Sequence, residues 1–145
     1  MNNIAAIRIE GIEKKAWAEG AEHFVLTVLD KLGKHHWNLS VFFCNNTIIQ
    51  QLNRQYRNLN ESTDVLSFIM GEMEGEHYLP GDIVISLEKT EENALLFGVS
   101  PKEELHRLLI HGILHLSGMD HSTNDKKEPM LVLQEKLLIE IEGEE

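Results

Sequence analysis

Hydrophobic residues follow two kinds of spacing along this chain, and each kind predicts a different element. Alternating or compact runs rich in β-branched residues predict strands, whereas apolar residues three or four positions apart predict helices. We expect four strands, at 4–10, 39–44, 63–68 and 82–87. We expect five helices, at 13–32, 47–56 and 88–97, after residue 100, and at about 128–142. These elements predict an α+β fold in which a mixed sheet of about four strands packs with about five helices.

Neither an internal repeat nor a long linker interrupts these elements. The 145 residues fit one domain that is large enough to bury a hydrophobic core of its own. We therefore expect residues 1–145 to form a single domain.

Several short signals predict where helices begin and end. Residues 100–103, SPKE, supply a capping serine, a proline at the first helical position and an acidic residue in the first turn. Thr47 and Gln50 resemble a capping box at the start of the second helix. Gly33 follows the first helical pattern and is expected to end it.

The helix after residue 100 is apolar on almost every side. A surface helix normally keeps a polar face toward water, so this helix is expected to be buried. The positions in its main stripe are Leu105, Leu108, Leu109, Gly112, Ile113 and Leu116, and Ile110 and Leu114 lie on the far side.

The same helix runs into the stretch HGILHLSGMDH, which contains three histidines. His111 and His115 are four residues apart and therefore stand on one face of the helix. Gly118 suits the left-handed turn that ends a helix, after which the chain can bring His121 back toward the other two. Three neutral imidazoles would then occupy three corners of a tetrahedron and leave the fourth for water. This arrangement is typical of a catalytic rather than a structural zinc site.

A single histidine is more often an interior or surface residue than a metal ligand. The combination of helical spacing, a helix-stopping glycine and a returning third histidine favours a metal site. We expect one zinc ion per chain, held on the buried helix, although nickel, copper and iron also accept imidazole ligands.

Gly112 separates this motif from that of zinc peptidases, which place a catalytic glutamate directly after the first histidine. Glycine cannot act as a base, and here it permits close approach of another backbone. A bound metal lowers the pKa of water to about 7 and can polarise a phosphoryl oxygen, so a protein base is not required. Asp120 is a candidate base or partner of a ligand, or simply a turn residue.

Phosphodiester hydrolysis also requires cations that can hold phosphate oxygens. Arg57 lies where a helix gives way to a loop, and its guanidinium could bind a phosphate with two parallel hydrogen bonds. Arg54, Lys126 and Lys127 are further candidates. Each of these cations is also compatible with an ordinary exposed charge near a helix end.

Overall charge and composition restrict the classes of partner. The formal net charge of −11 argues against coating nucleic acid by electrostatics alone, although much of the excess lies at 72–76 and 140–145. No apolar run approaches the roughly 18 residues that span a bilayer, and residues 1–20 contain no signal-peptide core. Cys44 is the only cysteine, which excludes an internal disulfide. A cytoplasmic protein without a membrane partner is the expectation.

Five stretches together resemble the YbeY family of bacterial endoribonucleases. They are HGILHLSGMDH, LNRQYR followed by TDVLSF, GDIVIS at 81–86, and the final MLVLQEKLL. The glycine after the first histidine is part of this likeness.

The resemblance implies a zinc-dependent endonuclease that prefers single-stranded RNA and acts in ribosomal RNA maturation, notably at the 3′ end of the small-subunit RNA, and in ribosome quality control. It implies that His111, His115 and His121 bind the metal and that Arg57 is a catalytic residue. Components of the small ribosomal subunit are the implied partners, and no DNA substrate is expected. The implied fold is a layer of about four strands with the metal helix packed against it.

The chain departs from the family pattern at a few positions. Asn60, Ser62 and Ile69 replace Asp, Pro and Pro, and Met119 replaces a tyrosine.

Two other functions fit part of the pattern. A metalloprotease is disfavoured by the glycine that follows the first histidine. A non-catalytic ribosome-assembly factor with a structural metal would need a fourth protein ligand, for which His106 and Asp120 are the candidates.

Overall fold

A computed structural model describes residues 2–144 and contains one mixed four-stranded sheet. Its strands are β1 (Ile4–Ile9), β2 (Asn38–Cys44), β3 (Val65–Glu74) and β4 (His77–Ser86), in the spatial order β1-β2-β4-β3. The pairs β1–β2 and β2–β4 are parallel, and β3 is antiparallel to β4. The helices are α1 (Ala21–Lys31), α2 (Asn46–Arg57), α3 (Leu87–Phe97), α4 (Pro101–Leu116) and α5 (Pro129–Gly143). The expected α+β fold is confirmed.

Alternate side chains of the sheet face two different hydrophobic clusters. Ile83 and Ile85 of β4 belong to the larger cluster, which contains residues of α1, α4 and α5. Val84 between them belongs to a smaller cluster with Ile49 of α2. The two-residue period of the strand therefore sorts the helices onto opposite faces of the sheet.

Helix α4 is buried as the sequence predicts. It contacts β3 and β4 as well as α1, α3 and α5. Leu109, Ile110, Ile113 and Leu114 are each 0% exposed, although they point to different sides of the helix. None of the helices in the described part of the chain is long and apolar enough to cross a membrane.

The first helix is shorter than predicted. The structure has a 3-10 turn at Ala16–Ala18, and α1 begins only at Ala21. Gly20 between them has φ +81°, a left-handed conformation that interrupts a right-handed helix. The apolar spacing continues across this break, so periodicity alone does not reveal it. Gly33 lies just after the helix with φ +70°, as expected for a helix stop.

The cap of α2 also differs from the prediction, since Asn45 and not Thr47 caps the helix. The side-chain oxygen of Asn45 accepts a hydrogen bond from the backbone N–H of Ile48 at 2.8 Å. The side-chain nitrogen of Asn45 donates to the carbonyl of Gly11 at 2.7 Å. A contact with a distant segment therefore fixes the start of this helix. Ser100 caps α4 as predicted.

The two later strands are longer than predicted and form one hairpin. Pairing extends from Val65 opposite Ile85 to Glu74 opposite His77, with a register shift between Ile69 and Glu72. The connection at 69–81, which lies between the two predicted strands, is largely paired backbone. Residues 69–81 lack the hydrophobic pattern of a strand, and backbone hydrogen bonds across the hairpin hold them in the sheet.

Gly112 lies where α4 packs tightly against the sheet. A Cβ placed on Gly112 would lie 2.9 Å from both Cδ1 and Cγ2 of Ile83. The packing role expected of this glycine is thus present, but the group that approaches it is a side chain and not a backbone. Ile83 is fully buried and has little room to move.

Replacing Gly112 with alanine should therefore destabilise the protein. Overpacking costs about 1–3 kcal/mol, and the gain in helix propensity is about 1 kcal/mol. We expect G112A to lower the free energy of unfolding by about 1 kcal/mol in urea denaturation. The control is Gly143→Ala, because no atom lies within 4 Å of the added Cβ and no loss is expected. A G112A protein as stable as its parent would show that Ile83 moves away from the added methyl group at no cost, which contradicts this prediction.

Arg107 joins α4 to α5 through a group of ion pairs. Its guanidinium donates to both carboxylate oxygens of Glu135 at 3.0 and 3.1 Å. It also donates to Glu103 and Glu104, both at 3.1 Å. The second oxygen of Glu104 accepts a bond from Asn93 of α3 at 3.4 Å. Three helices therefore meet around one guanidinium.

These ion pairs predict that substitutions of Glu104 and of Arg107 have different effects on the free energy of unfolding. Burial raises the pKa of Glu104 and the hydrogen bond from Arg107 opposes that rise. Because the raised pKa means that the folded state favours the protonated acid, the ionised carboxylate costs stability at neutral pH. We expect Glu104→Gln to leave the free energy of unfolding unchanged or higher. Arg107→Met should lower it by about 3 kcal/mol, since a buried carboxylate loses its partner.

Urea denaturation at pH 7 measures both variants. The double variant R107M/E104Q should recover much of the lost stability, and full additivity of the two changes would contradict this account.

Candidate metal centre and active site

Three histidine side chains converge at the end of α4. The Nε2 atoms of His111 and His115 are 3.1 Å apart, and the two rings meet edge to face with centroids 4.7 Å apart. The ring of His121 lies 5.2 Å from that of His111 and 5.6 Å from that of His115. One nitrogen from each ring lies within 4.8 Å of the other two. The three residues are therefore positioned to hold one metal ion.

The turn after α4 returns the chain to the first two histidines. Gly118 has φ +97°, and its N–H donates to the carbonyl of His115 at 3.0 Å. The N–H of Met119 donates to the carbonyl of Leu114 at 3.0 Å, which closes the helix end. The predicted left-handed glycine is present at this turn.

Asp120 stabilises the same turn. Its carboxylate accepts a hydrogen bond from the backbone N–H of His121 at 2.8 Å, and its side chain is 86% exposed. The distance from this carboxylate to Nδ1 of His115 is 3.9 Å, which is too long for a hydrogen bond. In this geometry Asp120 acts as a turn residue.

The surroundings of the rings favour neutral imidazoles. Burial lowers the pKa of His111 and His115, and the hydrogen bond from His111 to Gln134 opposes the shift only in part. Nδ1 of His121 lies 2.7 Å from the carbonyl oxygen of Thr123. Because a carbonyl only accepts, this Nδ1 carries the proton and leaves Nε2 of His121 free as a ligand.

A tetrahedral metal ion fits these donors. Two imidazole nitrogens bound at about 2.0–2.1 Å to one such ion lie roughly 3.3 Å apart. The 3.1 Å between the Nε2 atoms of His111 and His115 is close to this value. Two acceptor nitrogens at that distance repel each other unless a cation or a proton lies between them. The donor set thus suits a divalent ion.

A fourth protein ligand is missing from the group within residues 2–144. Of the two candidates, Asp120 is engaged in the turn. His106 is stacked on Phe24 with ring centroids 3.7 Å apart, and its Nδ1 lies 3.1 Å from a carboxylate oxygen of Glu142. The structure does not supply the additional side-chain ligand that a purely structural metal would need.

Arg57 lies at the same cavity as two of the histidines. This cavity of about 330 Å³ is lined by Arg57, Thr63, Asp64, Val65, Ser67, Ile69, His111 and His115. Arg57 is the last residue of α2, as predicted, and its Nη2 donates to the carbonyl of Ser67 at 3.2 Å. The cavity therefore combines imidazole nitrogens with a guanidinium.

The loop after Arg57 is tied back to its helix. The buried side chain of Asn53 donates to the carbonyl of Glu61 at 3.1 Å. Asn60, one of the departures from the family pattern, accepts a bond from Gln50 at 3.3 Å. Side-chain contacts to α2 therefore support the loop that follows the arginine.

The other predicted cations lie elsewhere. Arg54 is exposed on α2 and is not among the residues lining the histidine cavity. Lys126 lines a separate cavity with Arg107 and Gln134. The backbone N–H of Lys127 donates to Asp125, and its side chain is exposed. Of the predicted cations, Arg57 alone lines the cavity beside His111 and His115.

Two residues at the site escaped the sequence interpretation. Asp64 lines the cavity beside His111 and accepts a bond from Asn93 at 3.1 Å. Gln134 of α5 contacts His111, with 2.7 Å between its Oε1 and the histidine Nδ1. Both residues belong to stretches that carry the family resemblance, TDVLSF and MLVLQEKLL. Helical or strand spacing gives no separate signal for either residue.

Comparisons with known proteins point to one family. The family model described as Endoribonuclease YbeY matches residues 3–142. An Endoribonuclease YbeY of Treponema denticola is 46% identical over 129 residues, covering 86% of this chain and 83% of the relative. One of Borrelia turicatae is 49% identical over 134 residues, covering 90% of each.

Among solved structures, the solution structure of TM1509 from Thermotoga maritima matches with a TM-score of 0.66 and 33% identity. The match covers 95% of this chain and 90% of that protein. The chain belongs to the YbeY family.

Proposed function

We propose that this protein is a zinc-dependent endoribonuclease that cleaves single-stranded RNA during ribosomal RNA maturation. Its substrates would include the 3′ end of the small-subunit RNA, and it would also act in ribosome quality control. The relatives named Endoribonuclease YbeY support the class of reaction. The match to the family model over residues 3–142 also supports treating residues 1–145 as one functional domain.

One observation carries this proposal: the guanidinium of Arg57 and the imidazoles of two proposed metal ligands line a single cavity. Phosphodiester cleavage develops negative charge on phosphoryl oxygens, which the guanidinium would stabilise directly and the imidazoles would stabilise through the ion that they hold. Gly112 faces Ile83 of the sheet, so the position that carries glutamate in zinc peptidases contributes nothing to the cavity. Nucleolytic chemistry is therefore favoured over proteolysis.

The side chains have separate roles in the proposed reaction. His111, His115 and His121 hold the ion through ring nitrogens that burial keeps unprotonated in the first two. Arg57 binds the phosphate with the N–H groups that its contact to Ser67 leaves available. When bound, a divalent ion supplies Lewis acidity and lowers the pKa of water toward neutrality.

Zinc is the metal that best suits three imidazoles with an open fourth position. We expect one zinc ion per chain. The net charge of −11 disfavours tight binding to RNA by charge alone. Components of the small ribosomal subunit would supply the missing affinity, and the protein would act in the cytoplasm without a membrane or DNA partner.

The metal is tested by removing one ligand. His115→Ala should bind zinc at least 100-fold more weakly than the parent, with complete loss of RNA cleavage, because two imidazoles remain. His115 is only half-buried, so the variant should stay folded by circular dichroism. The control His35→Ala alters an exposed histidine outside the group and should retain one zinc per chain by elemental analysis.

Cleavage assays on the same proteins test the substrate class. Single-stranded RNA should be cut by the zinc-loaded parent, whereas casein should not. A parent protein that binds zinc but cuts neither substrate would favour the assembly-factor alternative, and cleavage of casein would favour the protease.

Substitutions of Arg57 test its proposed role in binding the phosphate. Removing one donor to a developing oxyanion typically lowers kcat by about 100-fold or more. We expect Arg57→Ala to lose activity to this extent with unchanged zinc content, and Arg57→Lys to recover only part of it.

Arg54→Ala is the matched control, because Arg54 is exposed on the same helix outside the cavity. If Arg57→Ala and Arg54→Ala lose equal activity, the loss comes from removing a positive charge and not from the position of Arg57 in the cavity.

A further inference from the structure

Gln134 is a buried polar residue that no step of the proposed reaction uses. It lies on α5 with 7% of its surface exposed. Its Oε1 is 2.7 Å from Nδ1 of His111, and its Nε2 donates to Oε2 of Glu135 at 3.1 Å. A single amide thus contacts a metal-ligating histidine at one end and a carboxylate at the other.

The carboxylate fixes which way the amide points. Glu135 forms a two-pronged ion pair with Arg107 of α4. Burial raises the pKa of Glu135, but hydrogen bonds from Arg107 and Gln134 outweigh it and hold the pKa below its usual value. An ionised carboxylate only accepts hydrogen bonds, so the nitrogen of Gln134 must face Glu135. The carbonyl oxygen of Gln134 must then face His111.

The amide orientation in turn fixes the proton on the imidazole. A carbonyl oxygen at 2.7 Å requires a donor, and the only donor that His111 can present there is Nδ1–H. The proton of the neutral ring is thereby placed on Nδ1. Nε2, which lies 3.1 Å from Nε2 of His115, keeps its lone pair directed at the metal position. Without this contact, a neutral imidazole can carry its proton on either nitrogen.

We propose that Gln134 is a positioning residue that holds His111 in the Nδ1–H tautomer and so prepares Nε2 for the metal, its own orientation being set by the Glu135–Arg107 ion pair. The part of this inference that concerns metal affinity rests on the proposed metal site. The part that concerns the tautomer can be measured in the metal-free protein.

The ion pair that joins α4 to α5 therefore has a second consequence. Arg107 and His111 lie one helical turn apart on α4, and both reach α5. When α5 packs against α4, Glu135 contacts Arg107 and Gln134 contacts His111. The packing of the two helices thereby also determines which ring nitrogen of His111 carries the proton.

The test compares Gln134→Leu with Gln134→Glu. Leucine has a similar size but cannot accept a hydrogen bond, whereas glutamate keeps an acceptor facing Nδ1 of His111 and loses only the donor to Glu135, which retains Arg107 as its partner. Ring ¹⁵N shifts of His111 in the metal-free protein should show the Nδ1–H form in the parent and in Q134E. In Q134L both tautomers should appear, and the dissociation constant for Zn²⁺ should rise 10- to 100-fold. Q134E should retain more of the zinc affinity than Q134L.

Two further variants separate positioning from packing. Leu133→Ala loosens the packing of the same helix, because Leu133 contacts the hydrophobic core, but it leaves the amide in place. It should lower stability without moving the His111 tautomer. Glu135→Ala removes the group that orients the amide, and it should give a tautomer mixture between those of the parent and Q134L.

Several results would overturn the proposal. They are an Nε2–H form of His111 in the parent, an unchanged tautomer in Q134L, an unchanged zinc affinity in Q134L, and a tautomer shift in L133A equal to that in Q134L. Failure of the proposed function looks different. If the parent shows the Nδ1–H form and Q134L weakens zinc binding, but no RNA is cleaved, then Gln134 positions a metal ligand in a protein with another activity.

Discussion

The burial of α4 is the constraint on which the rest of this molecule depends. This one helix supplies fully buried residues to the core and two of the three converging histidines. Gly112 allows α4 to lie against Ile83 of the central strand β4, which sets the depth of the helix. Because His111 and His115 extend from the same rigid backbone, the distance between their nitrogens is fixed by packing and not by a flexible loop. Only His121 is delivered by a turn, and hydrogen bonds to the end of α4 hold that turn closed.

A chain of polar contacts surrounds the metal position and connects it to three helices. It leads from His111 to Gln134 and Glu135, then through Arg107 and Glu104 to Asn93, which also contacts Asp64 in the cavity wall. Each carboxylate in this chain of contacts accepts at least one hydrogen bond from a side chain. The guanidinium of Arg57 lies at the cavity beside His111 and His115, whereas the guanidinium of Arg107 is engaged in ion pairs between helices. A chain with a net charge of −11 therefore still presents a cationic group beside two of the converging histidines.

The secondary structure was predictable wherever burial imposes a period on the sequence. The strands at 4–10 and 39–44 and the helices α3, α4 and α5 follow their hydrophobic patterns to within a few residues. The errors occur where other forces act. Gly20 interrupts a helical pattern through its backbone conformation, Asn45 caps α2 through a contact with the distant Gly11, and the hairpin at 65–86 extends by backbone pairing among exposed side chains. None of these causes changes the spacing of apolar residues.

The motif HGILHLSGMDH was sufficient to predict the convergence of the histidines, because helical spacing and a helix-stopping glycine are local properties of the chain. The placement of Arg57 at a helix end was likewise local. The meeting of Arg57 with the histidines, the contact of Gln134 with His111 and the turn role of Asp120 depended on how β3, α2 and α5 pack around α4. Residues from separate elements become neighbours through the packing of the whole core. Local spacing therefore reveals the three converging histidines, while the residues that surround them appear only in the folded chain.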